Sequence, residues 1–289
     1  MLRCGTFIGL GDSMLPLPDS LIWGALALAV LLCLARQRLP GFIMLAVALL
    51  AAFGLGHLSP IALLASAAGL LLAWRTPSLP QPWRAVALGA VLLWAVALML
   101  HLIPGFTNLK VLDQVQAGPA SVPFNMYLNL DKPLVFFGLL LAWPALLGPG
   151  GTVQWRRLAL LLVPLAALLI AAWQLGALKP EAGLPGWWWL FAINNLLFTC
   201  VAEEALFRGF LQQGIAAHSR RWLGVLVASL LFGAAHLAGG PLLVLFAALA
   251  GVCYGLAFLL SGRLNVAIAI HFLFNFAHLA LFTYPLASR

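Results

Sequence analysis

The 289-residue chain is 64% hydrophobic and only 8% charged, against about 25% charged in a typical soluble domain. That balance excludes an ordinary soluble globule and points to a membrane protein with many spans. The net charge of +8 is spread over short connections, with no basic cluster or aromatic platform, which excludes a nucleic-acid partner.

A spanning helix needs about 20 mostly apolar residues. On that rule the chain divides into about ten spans (eight to ten). They lie at 19–35, 40–57, 59–74, 83–101, 133–147, 158–175, 187–213, 222–237, 241–260 and 265–285. The third, fifth and eighth are short. The expected fold is an all-α, polytopic transmembrane helical bundle. The first twenty residues carry Asp12, Asp19, Pro16 and Pro18, with only Arg3 as a basic flank, so a cleaved signal is not expected there. Cys4, Cys33, Cys200 and Cys253 show neither metal spacing nor a disulfide framework and read as small hydrophobes.

The connections carry an orientation signal. The odd ones hold Arg36, Arg38, Arg75, Arg84, Arg156, Arg157, Arg220, Arg221 and Arg263, with no acidic residue. The even ones and the tails hold Arg3, Lys110, Lys132, Lys179 and Arg289, mixed with Asp12, Asp19, Asp113, Asp131 and Glu181. Positive-inside bias then predicts both termini outside the cytoplasm. Residues 103–132 form the one long connection, read as a solvated loop or a flat interfacial segment. Nearly all polar residues within spans lie from the seventh onward. The chain therefore divides into an N-terminal transmembrane region, 1–185, of about six spans, and a helical core, 186–289.

The seventh span places Glu203, Glu204 and Arg208 inside an apolar run. A charge at the bilayer centre costs about 2.5–3.5 kcal/mol on insertion scales, so three need a reason. Residues four apart share a helix face. Glu204 and Arg208 therefore pair, while Glu203 joins Asn195 and Thr199 on a different stripe. Adjacent glutamates cannot point the same way, so the labour divides: Glu204 neutralises Arg208, and Glu203 stays unpaired, as suits a general base. His236 ends the eighth span, and His271 and Asn275 share a face of the tenth, with His278 nearby. A carboxylate and imidazoles can position a water or bind zinc. An asparagine amide and a second imidazole can steady an oxyanion. Counted from the basic ends, His271, Asn275 and His236 lie roughly 9, 15 and 21 Å deep at 1.5 Å per residue. A water-filled pocket reaching the cytoplasmic half would reconcile these depths. Each signal alone has a plain structural reading, as interhelical hydrogen bonding or an ion pair; Tyr254, His278, Asn194 and Thr199 read that way, and His57 and His101 as interfacial.

Their conjunction resembles a known family. Glu203-Glu204-x-x-x-Arg208, Phe232-x-x-x-His236 and His271-x-x-x-Asn275, in that order, resemble the three motifs of the CPBP family of CAAX proteases and bacteriocin-processing enzymes, also called ABI. The likeness covers about 194–278. Tyr127-Leu-Asn-Leu-Asp-Lys132 is similar to a segment of some bacterial members. The resemblance implies an intramembrane endopeptidase acting on membrane-anchored peptides or proteins, lipid-modified ones included, within the lipids of a bacterial inner membrane. Glu203 and His236 would activate water, His271 and Asn275 would bind the oxyanion, and Glu204 and Arg208 would support the site. The cofactor it implies is none, or a zinc ion on Glu203, His236 and His271. A proton-coupled transporter and a non-catalytic scaffold or immunity protein are the alternatives.

Overall fold

The computed structural model describes residues 17–288. The expectation of an uncleaved amino terminus, with Arg3, Cys4, Asp12 and Pro16, falls outside the described residues, as does Arg289. Ten helices and one two-stranded sheet make up the described fold. The helices are α1 (Leu17–Leu34), α2 (Arg38–Gly54), α3 (Pro60–Arg75), α4 (Trp83–Met99), α5 (Asp131–Ala142), α6 (Trp155–Gln174), α7 (Trp188–His218), α8 (Arg221–Ala234), α9 (Pro241–Ser261) and α10 (Leu264–Leu281). Local chemistry sets their ends. Ser59 Oγ accepts the Ala62 N–H to cap α3, with Pro60 at the first turn. Pro241 opens α9, and Gly262, at φ 61°, closes it in the left-handed conformation that favours glycine.

Five of the helices are long and apolar enough to cross a membrane: α3 with its 3₁₀ extension to Ser78, α6, α7, α9 and α10. The chain is an integral membrane protein. Helices α1, α2, α4 and α8 are apolar but shorter. Helix α5, at 12 residues, is about 18 Å long against a hydrocarbon core of about 30 Å. Hydropathy overestimates these lengths because apolar residues continue past the helix ends. His101 turns to φ 56°, and Ala235 to Leu237 leave α8, so His236 sits on a turn and not on the helix.

The all-α expectation misses one element. Within 103–132, β1 (Leu109–Val115) and β2 (Phe124–Leu128) pair antiparallel, with Leu109 opposite Leu128 and Lys110 opposite Tyr127. Strands of five and seven residues with a bulged register carry too weak an alternation to stand out in so apolar a chain.

Helix α5 is central. Ten of its twelve residues are buried, and it packs on α3, α4 and α7. Contacts among the connections sort by end. Arg38 donates to the Pro144 carbonyl and Arg263 to Gly151, joining the first, fifth and ninth connections. At the other end Asp19 meets His57, Ser59 N–H bonds Gly105, Glu181 holds Ser121, and Thr283 meets Lys179. The hairpin belongs to this second end.

Gly41 on α2 lies against α1. A Cβ there would stand 3.2 Å from the Ala29 carbonyl oxygen and press on the Cys33 sulfur. Gly41→Leu is expected to destabilise by about 1–3 kcal/mol through overpacking, read as a lower melting temperature of the purified protein in detergent.

Candidate active site

Helix α7 is not regular. Asn194–Cys200 and Ala205–Gln212 are π-helical, and the α-helical turn Val201–Glu204 lies between them. π segments are rare and gather at functional sites. They also shift which residues share a face, from four apart towards five. Cys200 Sγ donates to Asn195 Oδ1, five residues back, at 3.3 Å. The expected stripe of Asn195, Thr199 and Glu203 is thereby split: Asn195 faces Asn275, while Thr199 and Glu203 line a cavity.

The Glu204–Arg208 pair forms as the spacing predicts, at 3.2 Å, with both side chains fully buried. Arg208 also donates to the Gly251 carbonyl at 2.8 Å and sits 4.6 Å from the Phe232 ring centroid and 5.4 Å from that of Tyr254. Glu204 does more than the sequence suggests. Its Oε1 also accepts from His271 Nδ1 at 2.8 Å. A carboxylate can only accept, so Nδ1 carries the proton and Nε2 is left facing outward. His271 is stacked on Tyr254 at 4.4 Å between centroids and 15° between planes. Its Nε2 lies 3.9 Å from Glu203 Oε2.

Glu203 has no closer hydrogen-bond partner among the described residues, and its side chain is 13% exposed. His236 donates Nδ1–H to the Phe232 carbonyl at 2.8 Å, which leaves its Nε2 to accept. Asn275 donates one amide N–H to Asn195 Oδ1 at 3.2 Å and lies 3.9 Å from Cys200 Sγ. Glu203, His236, His271 and Asn275 all line one cavity of about 500 Å³. Beyond these polar groups its wall is apolar, with Leu168, Leu169, Leu242, Leu243 and Phe246 supplied by α6 and α9.

The cavity reaches the hairpin end, through Gly176–Leu178, Gly239 and Pro285–Ala287. The depth estimate from the sequence pointed to the basic end. That expectation is corrected, because His236 lies beyond α8 and the carboxyl-terminal tail folds over the same end. Tyr284 in that tail is buried, which pushes its hydroxyl up to about 12 and keeps it neutral.

Residues 185–277 match the family model described as Rce1-like, type II CAAX prenyl endopeptidase Rce1-like. That stretch is similar to this family over about a third of the chain. The match agrees with the CPBP resemblance and spans the candidate motifs up to Asn275. No curated protein and no solved structure matches the chain.

The donor set of the matched segment does not fit a metal in this arrangement. Among the described residues no three His, Cys, Asp or Glu side chains converge tightly enough to hold an ion. The expected zinc set of Glu203, His236 and His271 is not assembled among the described residues: Glu203 Oε2 and His271 Nε2 stand 3.9 Å apart, and no third donor joins them. Reading the sequence missed Gly251 and Gly255, and took Tyr254 as interhelical bonding where the structure stacks it on His271. Arg208 and Gln212 reach the carbonyls of Gly251 and Gly255, two matched rungs between α7 and α9. A Cβ at Gly255 would stand 2.8 Å from Gln212 Oε1. The signal was present as Gly251-x-x-x-Gly255, at the spacing that lets helix backbones approach.

Removing one partner of a buried pair strands the other charge and costs about 3–5 kcal/mol. Glu204→Gln is therefore expected to lower thermal stability in detergent severely. Glu203→Gln is expected to leave it nearly unchanged, since Glu203 balances no buried cation. Equal losses in the two variants would contradict this division.

Proposed function

We propose that this protein is an intramembrane endopeptidase that hydrolyses peptide bonds of membrane-associated substrates, CAAX-like lipid-modified ones included. One observation carries the proposal. Glu203 faces an apolar cavity beside His236 and His271, while its neighbour Glu204 is buried and engaged through Oε1 by Arg208 and His271. The family description of the matched domain supports the same chemistry.

In this reading a water sits between Glu203 and His236 Nε2. Glu203 takes one of its protons, and the hydroxide attacks the scissile carbonyl carbon. Negative charge builds on the carbonyl oxygen. Asn275 donates its second amide hydrogen to it, and His271, held by Glu204, lines the same cavity beside it. When the intermediate collapses, the C–N bond breaks and the proton on Glu203 passes to the leaving nitrogen. The apolar wall between α6 and α9 suits a lipid chain or an apolar peptide segment entering from the side.

The ten helices are taken as ten crossings or part-crossings, with the basic connections in the cytoplasm and both termini outside. The segregation of connection contacts to two ends supports that topology. Residues 186–289 would then carry the chemistry and 1–185 enclose it. A proton-coupled carrier is less favoured, because every residue lining the cavity lies in one half of the bundle.

With a membrane-anchored reporter peptide, Glu203→Gln and His236→Ala are each expected to lower kcat by about 10²–10⁴, and Asn275→Ala by about 10²–10³, with insertion unchanged. Full activity in Glu203→Gln sinks the mechanism. Activity is expected to survive a strong chelator; loss to chelator and recovery with zinc would overturn the metal-free reading.

A further inference from the structure

Hydrogen-bond directions in the catalytic cavity leave it short of donors. His236 donates Nδ1–H to the Phe232 carbonyl at 2.8 Å, and His278 donates Nε2–H to the Thr283 carbonyl at 3.1 Å. A carbonyl only accepts, so each neutral ring carries its proton on the bonded nitrogen and leaves the other as a lone pair. His271 is in the same state, with Nδ1–H given to Glu204 at 2.8 Å. Glu203 as a carboxylate only accepts. Of the polar side chains that line the cavity, Thr199, Tyr254 and Asn275 alone then carry a hydrogen to donate. Asn275 gives one amide N–H to Asn195, so a single N–H remains for a developing oxyanion.

Tyr254 is placed to supply a second donor. A buried tyrosine normally finds a partner for its hydroxyl. Among the described residues the Tyr254 hydroxyl has none, yet it is not one of the unpartnered polar atoms sealed inside the protein. The 1% of the residue that stays open therefore includes the hydroxyl, and it opens on the cavity that Tyr254 lines. The ring is fixed on several sides. It stacks on His271 at 4.4 Å and 15°, stands edge-on to Phe232 at 6.0 Å and 80°, and meets Phe274 at 6.4 Å and 63°. The Arg208 guanidinium lies 5.4 Å from its centre. His271 and Phe274 come one turn and one residue before Asn275 on α10, so the ring packs against the stretch of helix that carries the amide donor. A donor held in this way needs no reorganisation when charge appears. Thr199 is placed differently. It sits on α7, one turn before Glu203, and it is shared with a second, polar cavity of about 560 Å³ beneath the hairpin, with Asn108, Asn125, Asn129 and Lys132 in its lining.

We propose that the Tyr254 hydroxyl is the second oxyanion donor of this site, acting with the free amide hydrogen of Asn275. The proposal rests on the endopeptidase reading. As the hydroxide adds to the scissile carbonyl carbon, the π pair moves to the carbonyl oxygen, and Tyr254 donates its O–H to that oxygen. Tyr254 keeps its proton throughout; no bond to it forms or breaks, and the hydrogen bond weakens again when the intermediate collapses. His271 then acts as the platform of the stack and, through Glu204, ties Tyr254 to the buried ion pair. The stack alone would be served by phenylalanine, which would leave no hydroxyl unbonded beside apolar walls.

Tyr254→Phe keeps the ring and removes the hydroxyl. With the membrane-anchored reporter peptide it is expected to lower kcat by about 10²–10³, with KM and melting temperature little changed. Binding in nanodiscs separates this from a packing defect. In the Glu203→Gln background, a fluorescent hexadecanoylated octapeptide is compared with four analogues, each carrying a phosphinate in place of one central peptide bond. The tightest of these presents a tetrahedral anion where the oxyanion forms. Adding Tyr254→Phe is expected to weaken that phosphinate about tenfold or more and to leave the amide peptide nearly unaffected. Equal phosphinate affinity with and without the hydroxyl overturns the proposal. So does an equal loss for amide and phosphinate, which makes Tyr254 a group that binds the unreacted substrate. A larger phosphinate loss in Thr199→Val than in Tyr254→Phe also overturns it and assigns the donor to Thr199. If the unmodified protein cleaves no reporter while Tyr254→Phe still weakens the phosphinate selectively, the endopeptidase reading fails and the assignment of the donor stands.

Discussion

A guanidinium buried completely among apolar helices must be matched by a carboxylate, and the rest of this site depends on how Arg208 is matched. Glu204 supplies the charge from one turn away. The remaining donors dictate the packing around it. One reaches the Gly251 carbonyl, which requires α9 to come close, and glycine at that position allows it. The rings of Phe232 and Tyr254 cover the guanidinium from α8 and α9. Glu204 then holds His271 of α10 with the same oxygen that meets Arg208. Four helices are tied to one ion pair, and the imidazole is fixed in orientation by the same atoms.

This arrangement explains why two adjacent glutamates have opposite fates. Glu204 is used up as the counter-charge and as the orienter of His271. Glu203 points about 100° away on the helix, into the cavity, where His271 Nε2 is its nearest basic neighbour at 3.9 Å. The π-helical stretches on either side widen α7 and turn polar groups onto two faces. Thr199 and Glu203 meet the apolar cavity, while Asn194 and Thr199 meet the polar one. A single helix thus lines an apolar cavity and a polar one, with the unpaired carboxylate one turn from the residue they share. Tyr127, Asn129 and Lys132, from the segment similar to one in some bacterial family members, are placed at that polar compartment although nothing in the domain match extends so far along the chain.

What the sequence determined by itself is whatever depends on composition and short-range spacing. Apolar runs located all ten helices, because a helix satisfies its own backbone and needs no partner to be visible. The i, i+4 spacing determined the Glu204–Arg208 pair, and the order of the three motifs selected the side chains that line the first cavity. Only the tertiary structure decided the rest, because each remaining item is a contact between distant segments. The hairpin exists through pairing across a turn. His271 turned out to bond Glu204, 67 residues away, and no spacing rule reports that. The direction of the cavity depends on where α8 stops and where the tail after α10 folds back, and hydropathy carries neither. Metal geometry likewise requires three side chains from three helices to converge within a few ångströms, a condition that their spacing along the chain permits but does not impose.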